Sequence, residues 1–308
     1  MENSNIETVD TAPVVTIDVH DSIRTDNGDL AVRQELLTSQ MRKRLLTGRI
    51  GGVERLESGQ TAVVVEYKGY KVIIPLSEMI TENGDNADSA EVRLKYSKIL
   101  SGMLGAEIDF VVRGVSDEEP IAAASRKEAM LIKRKTFYID KDEAGLPVIR
   151  AGRIVQARII SVFEKGIYIE AFGVECPIFN RDLSWGWLGD ARDKFAIGER
   201  VLVHINSVGI DADGNVSITG DVKTTLQSND LENLKKCKVQ SRYAGTVVDI
   251  VRGMPRIRLL NGANAIAHTC LDRRTPGKKD EVSFVVTNLD EKRGVAMGVI
   301  TRIIRQNI

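Results

Sequence analysis

The spacing of hydrophobic and polar positions changes near residue 46. Before that point, leucine and methionine recur at seven- and four-residue intervals, which places them on one face of a helix. These positions are Leu30, Leu37, Met41 and Leu45. After it, short apolar runs alternate with glycines, as in TAVVVEYKG and KGIYIEAFG, and such runs are typical of β-strands. We therefore predict an amphipathic helix over residues 29–46 that packs through this face on the chain that follows, and a β-rich chain beyond it.

The β-like runs form three blocks with the same order. Each block has three runs, a connection and two further runs, which is the order of a five-stranded oligonucleotide/oligosaccharide-binding (OB) barrel. A glycine marks the turn between the second and third run of each block and aligns the three: Gly69, Gly173 and Gly262. The sequence thus predicts a mostly β fold of three tandem five-stranded OB barrels, at residues 47–132, 149–224 and 237–306. The segments 133–150 and 224–236 are predicted to be linkers.

Charge is balanced over the whole chain but not along it. The protein has 43 basic and 43 acidic residues. Residues 1–29 carry seven acids and one base, whereas residues 231–308 carry fifteen bases and seven acids. The polar, acidic composition predicts a disordered tail over residues 1–28. The basic third block could attract phosphate, because local charge matters more than the global sum; a solvated basic face without a partner is the alternative.

Several classes of protein find no support in the sequence. No apolar run approaches the roughly 18 residues that a membrane span needs, and the acidic start of the chain does not resemble a secretory signal. Cys176, Cys237 and Cys270 are too widely spaced for a disulfide framework or a CxxC metal site. There is no Walker loop, HExxH or GxSxG motif. We therefore expect a cytoplasmic protein that is not an enzyme, with no catalytic residue, cofactor, metal or membrane contact.

The middle block resembles the S1 domain, the RNA-binding OB repeat named after ribosomal protein S1. The segments GIYIEAFGVECPIFNRDLSW and IGERVLVHINSVGIDADGNVSITGDVK follow the order of that family: an aromatic second strand, a glycine turn, a third strand, and an acidic turn before the fifth. The resemblance implies binding of single-stranded RNA. It also implies mRNA as the partner, a role in translation, the ribosome as a further partner, and a bacterial or phage origin.

The resemblance also implies which residues face RNA. The two aromatic positions of the second strand fall on Lys165 and Tyr168, the histidine position on Phe179, and the acid position on Asp211. The arginine position holds Asn215, so stacking is retained while charge is reduced. In the third block, His268 matches the histidine position and Ile257 stands at an aromatic one. The first block has Val64 and Pro75 where rings are expected, which implies that its RNA face is degenerate.

Alternation within GIYIE supports the assignment of Tyr168 from the residues themselves. Ile167 and Ile169 share one face of the strand and Tyr168 lies on the other, so the isoleucines should be core and the tyrosine exposed. Phe179 could be either a stacking ring or core, and Trp185 and Trp187 could either stack on bases or cap the barrel. The candidate phosphate contacts of the third block are Arg256, Arg258, Arg273, Arg274, Lys278 and Lys279.

Two functional hypotheses follow, from different classes of protein. The first is a non-catalytic protein that binds single-stranded RNA through the middle and third barrels. The second is a protein-interaction scaffold whose barrels have largely lost their RNA faces, and which docks a partner through the acidic tail and the helix over residues 29–46. An accessory subunit of RNA processing is a third possibility.

Overall fold

A computed structural model describes residues 28–56, 59–79, 99–212, 214–226, 230–291 and 293–307. The predicted disordered tail therefore lies outside the described residues, except for Gly28. Residues 80–98, which form most of the connection between the third and fourth runs of the first block, also lie outside the described residues. Among the described helices, none is long and apolar enough to cross a membrane.

The first barrel is closed by five strands in the order β1-β2-β3-β5-β4. The helix α1 (Gly28–Arg42) precedes it, and the short helix α2 (Leu76–Met79) follows its third strand. The strands are β1 (Leu46–Arg55), β2 (Thr61–Tyr67), β3 (Tyr70–Pro75), β4 (Glu107–Val115) and β5 (Ile121–Ser125). The barrel closes through the parallel pair β3/β5 and the antiparallel pair β1/β4. Alternating residues such as Val63 and Val65 fill its interior.

The helix α1 packs on the first barrel through a different face from the one predicted. Val32 and Leu36 are buried in the core of that barrel, whereas Leu30 is 80% and Met41 79% exposed. Because successive residues are about 100° apart around a helix, Val32 and Leu36 lie on the opposite side from Leu30 and Met41. The helix therefore has apolar side chains on both sides. The prediction that the Leu30 face packs inward is wrong. The spacing of apolar residues does not show which of two apolar faces is buried. In the structure the face with Val32 and Leu36 packs on the barrel.

The middle barrel is a five-stranded sheet in the order β10-β9-β6-β7-β8. The short helix α4 (Asn180–Leu183) follows its third strand. The strands are β6 (Ile154–Phe163), β7 (Gly166–Ala171), β8 (Val174–Phe179), β9 (Arg200–Ile210) and β10 (Val216–Asp221). The strands β6 and β9 pair antiparallel, with Ile154 opposite His204 and Arg158 opposite Arg200.

The third barrel is closed in the order β11-β12-β13-β15-β14, the same order as the first. The strands are β11 (Arg242–Val251), β12 (Met254–Leu259), β13 (Asn264–Cys270), β14 (Glu281–Asp290) and β15 (Val295–Arg305). Its core contains Val247, Ile257, Phe284 and Ile300. Three five-stranded barrels in tandem, with a helix before the first, confirm the predicted fold class.

The glycine register used to align the three blocks is also confirmed. Gly69, Gly173 and Gly262 each lie in the turn between the second and third strand of their barrel. Their φ angles are +91°, +92° and +81°, a left-handed conformation that glycine adopts without steric cost. At Gly173 a Cβ would in addition lie 2.5 Å from the carbonyl oxygen of Met130, so this turn needs glycine for space as well.

Neither predicted linker lacks secondary structure. The helix α3 (Arg126–Arg134), capped by Ser125 Oγ accepting from the Glu128 amide at 3.0 Å, continues into a π-helical turn over Lys135–Ile139. The helix α5 (Asp230–Lys235) occupies part of the second segment, and its Leu234 is buried in the third core. The polar composition of these two segments predicted linkers. Composition does not show that single residues within them, such as Leu234, are buried.

The described residues group into two compact units. The first contains the chain up to Val162 with Tyr168–Pro177 and Phe195–Gly220, and the second contains Phe163–Ile167, Ile178–Lys194 and the chain from Asp221.

A buried charge network lies inside the first unit. Lys133 Nζ donates to Asp109 Oδ2 at 2.6 Å and to Glu170 Oε1 at 2.5 Å, and Arg158 Nη1 donates to Asp109 Oδ1 at 2.9 Å. Burial works to raise the pKa of both carboxyl groups, but the charge of Lys133, with that of Arg158, holds each pKa below its usual value. Two cations and two anions therefore balance each other without solvent.

Candidate nucleic-acid interface

Tyr168 lies on the outer face of β7, as alternation predicted. Ile167 and Ile169 are fully buried, while the tyrosine side chain is 44% exposed. Glu170, which shares the tyrosine's parity, is nevertheless buried because it joins the charge network with Lys133. Tyr168 therefore offers an aromatic surface that the core of the barrel does not need.

Phe179 ends β8 and is 48% exposed. Alternation along β8 explains this, since Cys176 and Ile178 face the core and Phe179 has the opposite parity. Its ring meets Phe163 edge to face, with centroids 6.4 Å apart and planes at 83°. Of the two alternatives left open by the sequence, the structure supports the exposed ring over the core residue. The edge contact limits the movement of the ring without covering it.

Trp185 follows α4 in the loop Ser184–Gly189, which we call the Trp loop. The indole ring is 41% exposed, and its Nε1 donates to the carbonyl of Leu226 at 3.1 Å. Lys223 Nζ lies 5.7 Å from the ring centroid, within the range of a cation–π contact, and donates to Asp182 Oδ1 at 2.9 Å. The ring is thus fixed at its polar end and partly open to solvent.

Lys165 and Asp211 lie in turns rather than on strands. Lys165 is exposed in the turn between β6 and β7, and its carbonyl accepts a hydrogen bond from the Asn180 amide at 2.9 Å. The carboxylate of Asp211 accepts from the backbone amide of Asn215 at 2.7 Å and from Asn215 Nδ2 at 3.0 Å. Asp211 therefore closes the turn between β9 and β10, while the Lys165 ammonium extends into solvent.

Arg256 and Arg258 contact the Trp loop within the second unit. Ile257 is buried in the third core, so the flanking arginines lie on the outer face of β12. Arg256 Cζ lies 5.1 Å from the ring centroid of Trp187. Arg258 Nη1 donates to Asn264 Oδ1 at 2.6 Å, and the same oxygen accepts from the Trp187 amide at 3.3 Å. Both arginines thus interact with the protein itself.

Three other predicted phosphate contacts have acidic partners. Lys278 Nζ lies 3.0 Å from Glu164 and 3.1 Å from Asp249, and these hydrogen bonds raise the pKa of the lysine. Lys279 Nζ pairs with Asp193 at 3.0 Å. Arg274 pairs with Asp272 at 3.0 Å and also donates to the carbonyl of Ile303. These three cations are therefore partly neutralised within the protein. The partners of the two lysines lie far away in sequence, so spacing along the chain could not predict those two ion pairs.

Two predicted residues of the third barrel remain open to solvent. His268 lies exposed on β13, and Arg273 is exposed in the connection that follows it. Arg273 forms no ion pair with the part of the chain that the structure describes. Arg181 is also 83% exposed, but its Nε pairs with Asp182 Oδ2 at 3.0 Å.

Metal binding finds no site among the described residues. No group of three or more histidine, cysteine or acidic side chains is arranged there to hold a metal ion. Cys176 is buried, and that burial raises the pKa of its thiol to about 11, which keeps the sulfur protonated near neutral pH. A protonated thiol is a poor nucleophile.

Sequence reasoning missed two residues that organise the interface. Asn264 is buried and bridges Arg258 to the Trp loop, and Lys223 lies near the ring of Trp185. One signal was present: Gly186 stands between the two tryptophans, and a glycine inside an aromatic loop can mark a close approach. In the structure a Cβ at Gly186 would lie 2.6 Å from Arg258 Nη1.

Comparisons with known proteins do not assign a family. No protein-family model matches the chain. A curated relative, the 4-hydroxy-3-methylbut-2-enyl diphosphate reductase of Clostridium acetobutylicum, is 23% identical over 215 residues, which are 69% of this chain and 30% of that protein. The chain therefore spans less than a third of the length of this relative.

Three solved structures share some similarity with the chain. A multidomain protein with nucleic acid binding domains from Streptococcus pneumoniae is 8% identical, covering 84% of this chain and 73% of that one, with a TM-score of 0.20. The Drosophila Unr CSD456 structure is 10% identical over 84% and 97%, with a TM-score of 0.17. The a/eIF2alpha-aDim2p-rRNA complex of Pyrococcus horikoshii is 16% identical over 29% and 56%, with a TM-score of 0.23. At these scores the similarity carries no argument about function.

Proposed function

We propose that the protein binds single-stranded RNA without catalysing a reaction. The observation that carries this proposal is the exposure of two aromatic rings, Tyr168 on β7 at 44% and Phe179 at the end of β8 at 48%. Isoleucines fill the core beneath them, so neither ring belongs to that core. Exposed rings on a β-sheet are suited to stacking on unpaired bases, and each such stack contributes about 1 to 3 kcal/mol.

Exposed cations complement these rings. Lys165 lies in the turn that precedes β7, and Arg181 follows Phe179 by two residues. A ring that stacks on a base and a nearby cation that contacts phosphate together match the two parts of a nucleotide. Bases in a duplex are stacked on each other and cannot lie on a sheet, which favours single strands as the ligand.

The finer parts of the proposal rest on the resemblance to S1 domains. They are that the RNA is mRNA, that the role is in translation, and that the ribosome is a further partner. The resemblance is clearest in the middle barrel. The first barrel has Val64 and Pro75 at ring positions, and Val64 is buried, so we assign RNA binding to the middle and third barrels.

The proposal is tested by fluorescence anisotropy with a labelled single-stranded RNA at several salt concentrations. Tyr168→Ala and Phe179→Ala should each weaken binding by about 5- to 150-fold, the loss expected for one stacked base. Leu146→Ala, which removes an exposed apolar side chain elsewhere, should leave the affinity unchanged. An RNA duplex should bind more weakly than the single strand. Equal affinity of both ring variants and the native protein would contradict the proposal.

A second candidate function is a protein-interaction scaffold, and one observation favours it. The outer face of α1 exposes Leu30 and Met41, and exposed apolar side chains on a helix can dock a partner. If the protein is a scaffold, the double variant Leu30→Glu with Met41→Glu should no longer bind a protein partner that the native protein binds. The native protein should then show no RNA binding, even at low salt. RNA binding that both substitutions leave intact would favour the first candidate.

A further inference from the structure

The Trp loop is held in place from two sides within the second unit. On one side, Asn180 Nδ2 donates to the carbonyls of Leu188 at 3.1 Å and Gly189 at 3.4 Å. On the other, Asn264 Oδ1 accepts from the Trp187 amide. A six-residue loop with two tryptophans is therefore ordered by hydrogen bonds to its backbone, and its shape does not depend on burying both rings.

The third barrel supplies the second of these supports. Asn264 begins β13 and is buried, and its Oδ1 also accepts from Arg258 Nη1 at 2.6 Å. The guanidinium of Arg258 lies so close to Gly186 that a Cβ there would be 2.6 Å from Nη1. Arg256 covers the ring of Trp187. Arg256 and Arg258, which the sequence predicted to contact phosphate, thus contact and position the Trp loop.

The two tryptophans differ in what covers them. Trp187 is partly buried and lies against Arg256, so its ring serves the packing of the loop. Trp185 remains 41% exposed although its indole N–H is already satisfied by Leu226. An aromatic ring fixed in one orientation loses little further conformational entropy on binding, which favours a flat ligand.

We propose that the Trp loop is a second base-stacking site, in which Trp185 stacks on an unpaired nucleobase and Arg258 and Asn264 of the third barrel act as positioning residues. Lys223, which lies beside the ring, and Arg181 share the single carboxylate of Asp182, which leaves a net positive charge for the adjoining phosphates. The site lies in the loop after α4, outside the β7–β8 hairpin. The proposal rests on the proposed RNA binding.

Indole fluorescence tests the stacking part of the proposal, because the chain has only two tryptophans. In Trp187→Phe the emission comes from Trp185 alone, and in Trp185→Phe it comes from Trp187 alone. Titration with oligouridylate should quench Trp185 strongly and leave Trp187 nearly unchanged. Trp185→Ala should weaken binding by about 5- to 150-fold. An abasic sugar-phosphate oligomer of the same length should not quench Trp185.

A salt series tests the positioning part. Arg258→Ala should lower the affinity and shift the emission of Trp185 in the absence of RNA, while the slope of log affinity against log salt stays unchanged. Loss of a direct phosphate contact would instead reduce that slope by about 0.7. Gly186→Ala, which pushes on the same guanidinium, should reproduce the effect if Arg258→Ala does not fold. Arg258→Lys should retain only part of the native affinity, since a lysine ammonium lacks the planar guanidinium that forms paired hydrogen bonds.

The outcomes separate this proposal from the function on which it rests. RNA binding by anisotropy without quenching of Trp185 would overturn the second stacking site and leave RNA binding intact. A reduced salt slope in Arg258→Ala, with the Trp185 emission unchanged, would overturn the positioning role. Absence of RNA binding by the native protein would overturn both proposals.

Discussion

The ammonium of Lys133 lies 2.5 Å from the carboxylate of Glu170, and both side chains are almost completely buried. The same ammonium lies 2.6 Å from Asp109, so one lysine on α3 pairs with strands β4 and β7. Arg158 supplies the second cation. Breaking a buried ion pair by removing one partner leaves a charge without compensation, which is far more costly than losing an exposed pair.

We therefore expect Lys133→Met to destabilise the protein by about 3 to 5 kcal/mol, measured as the free energy of unfolding in urea. Lys135→Met removes an exposed lysine from the adjoining π-helical turn and should change stability by less than about 0.5 kcal/mol. The double variant Lys133→Met with Glu170→Met restores charge balance, so it should be more stable than Lys133→Met alone. A double variant that is less stable would contradict this account of the network.

Acid should weaken the same network. The pKa values of Asp109 and Glu170 are lowered in the folded protein, so the unfolded chain binds protons more readily and stability falls as pH decreases. The contribution should be complete above about pH 5 and decline as pH falls below the unfolded values, near 3.9 and 4.3. Urea midpoints measured from pH 7 to pH 2.5 check this. In Glu170→Gln the decline should be shallower, and a flat profile for the native protein would contradict the prediction.

This network also shows where prediction from sequence ends. Alternation and the glycine turns predicted the three barrels, because strand period and turn geometry are local properties. They also predicted the exposure of Tyr168. The pairing of Lys133 with Asp109 and Glu170 joins residues far apart in sequence, and composition placed Lys133 in a linker. In the same way, the ion pairs of Lys278 and Lys279 cannot be predicted from sequence, because Glu164 and Asp193 lie in another block.

The two faces of α1 give a matched pair of substitutions. Leu36 is fully buried in the first core, and Leu30 is 80% exposed on the opposite side. Leu36→Ala should destabilise the protein by about 2 to 5 kcal/mol, since it removes buried methyl groups and leaves a cavity. Leu30→Ala should change the free energy of unfolding by less than about 0.5 kcal/mol. Equal effects of the two substitutions would mean that the helix packs through a different face.

The cations of the third barrel differ in how much charge they can offer to RNA. Lys279 is paired with Asp193 at 3.0 Å, whereas Arg273 is exposed and has no ion-pair partner among the described residues. If RNA reaches this surface, Arg273→Ala should reduce the slope of log affinity against log salt by about 0.7, the value for one phosphate contact on a single strand.

Lys279→Ala should leave the slope unchanged. The ammonium of Lys279 is already paired with Asp193, so it neutralises no phosphate and releases no counterion from the RNA. Anisotropy titrations at four salt concentrations measure both slopes, with Leu146→Ala as the control for nonspecific effects. A slope reduced by Lys279→Ala and not by Arg273→Ala would reverse the assignment. It would mean that the ion pair with Asp193 opens on binding and that phosphate replaces the carboxylate.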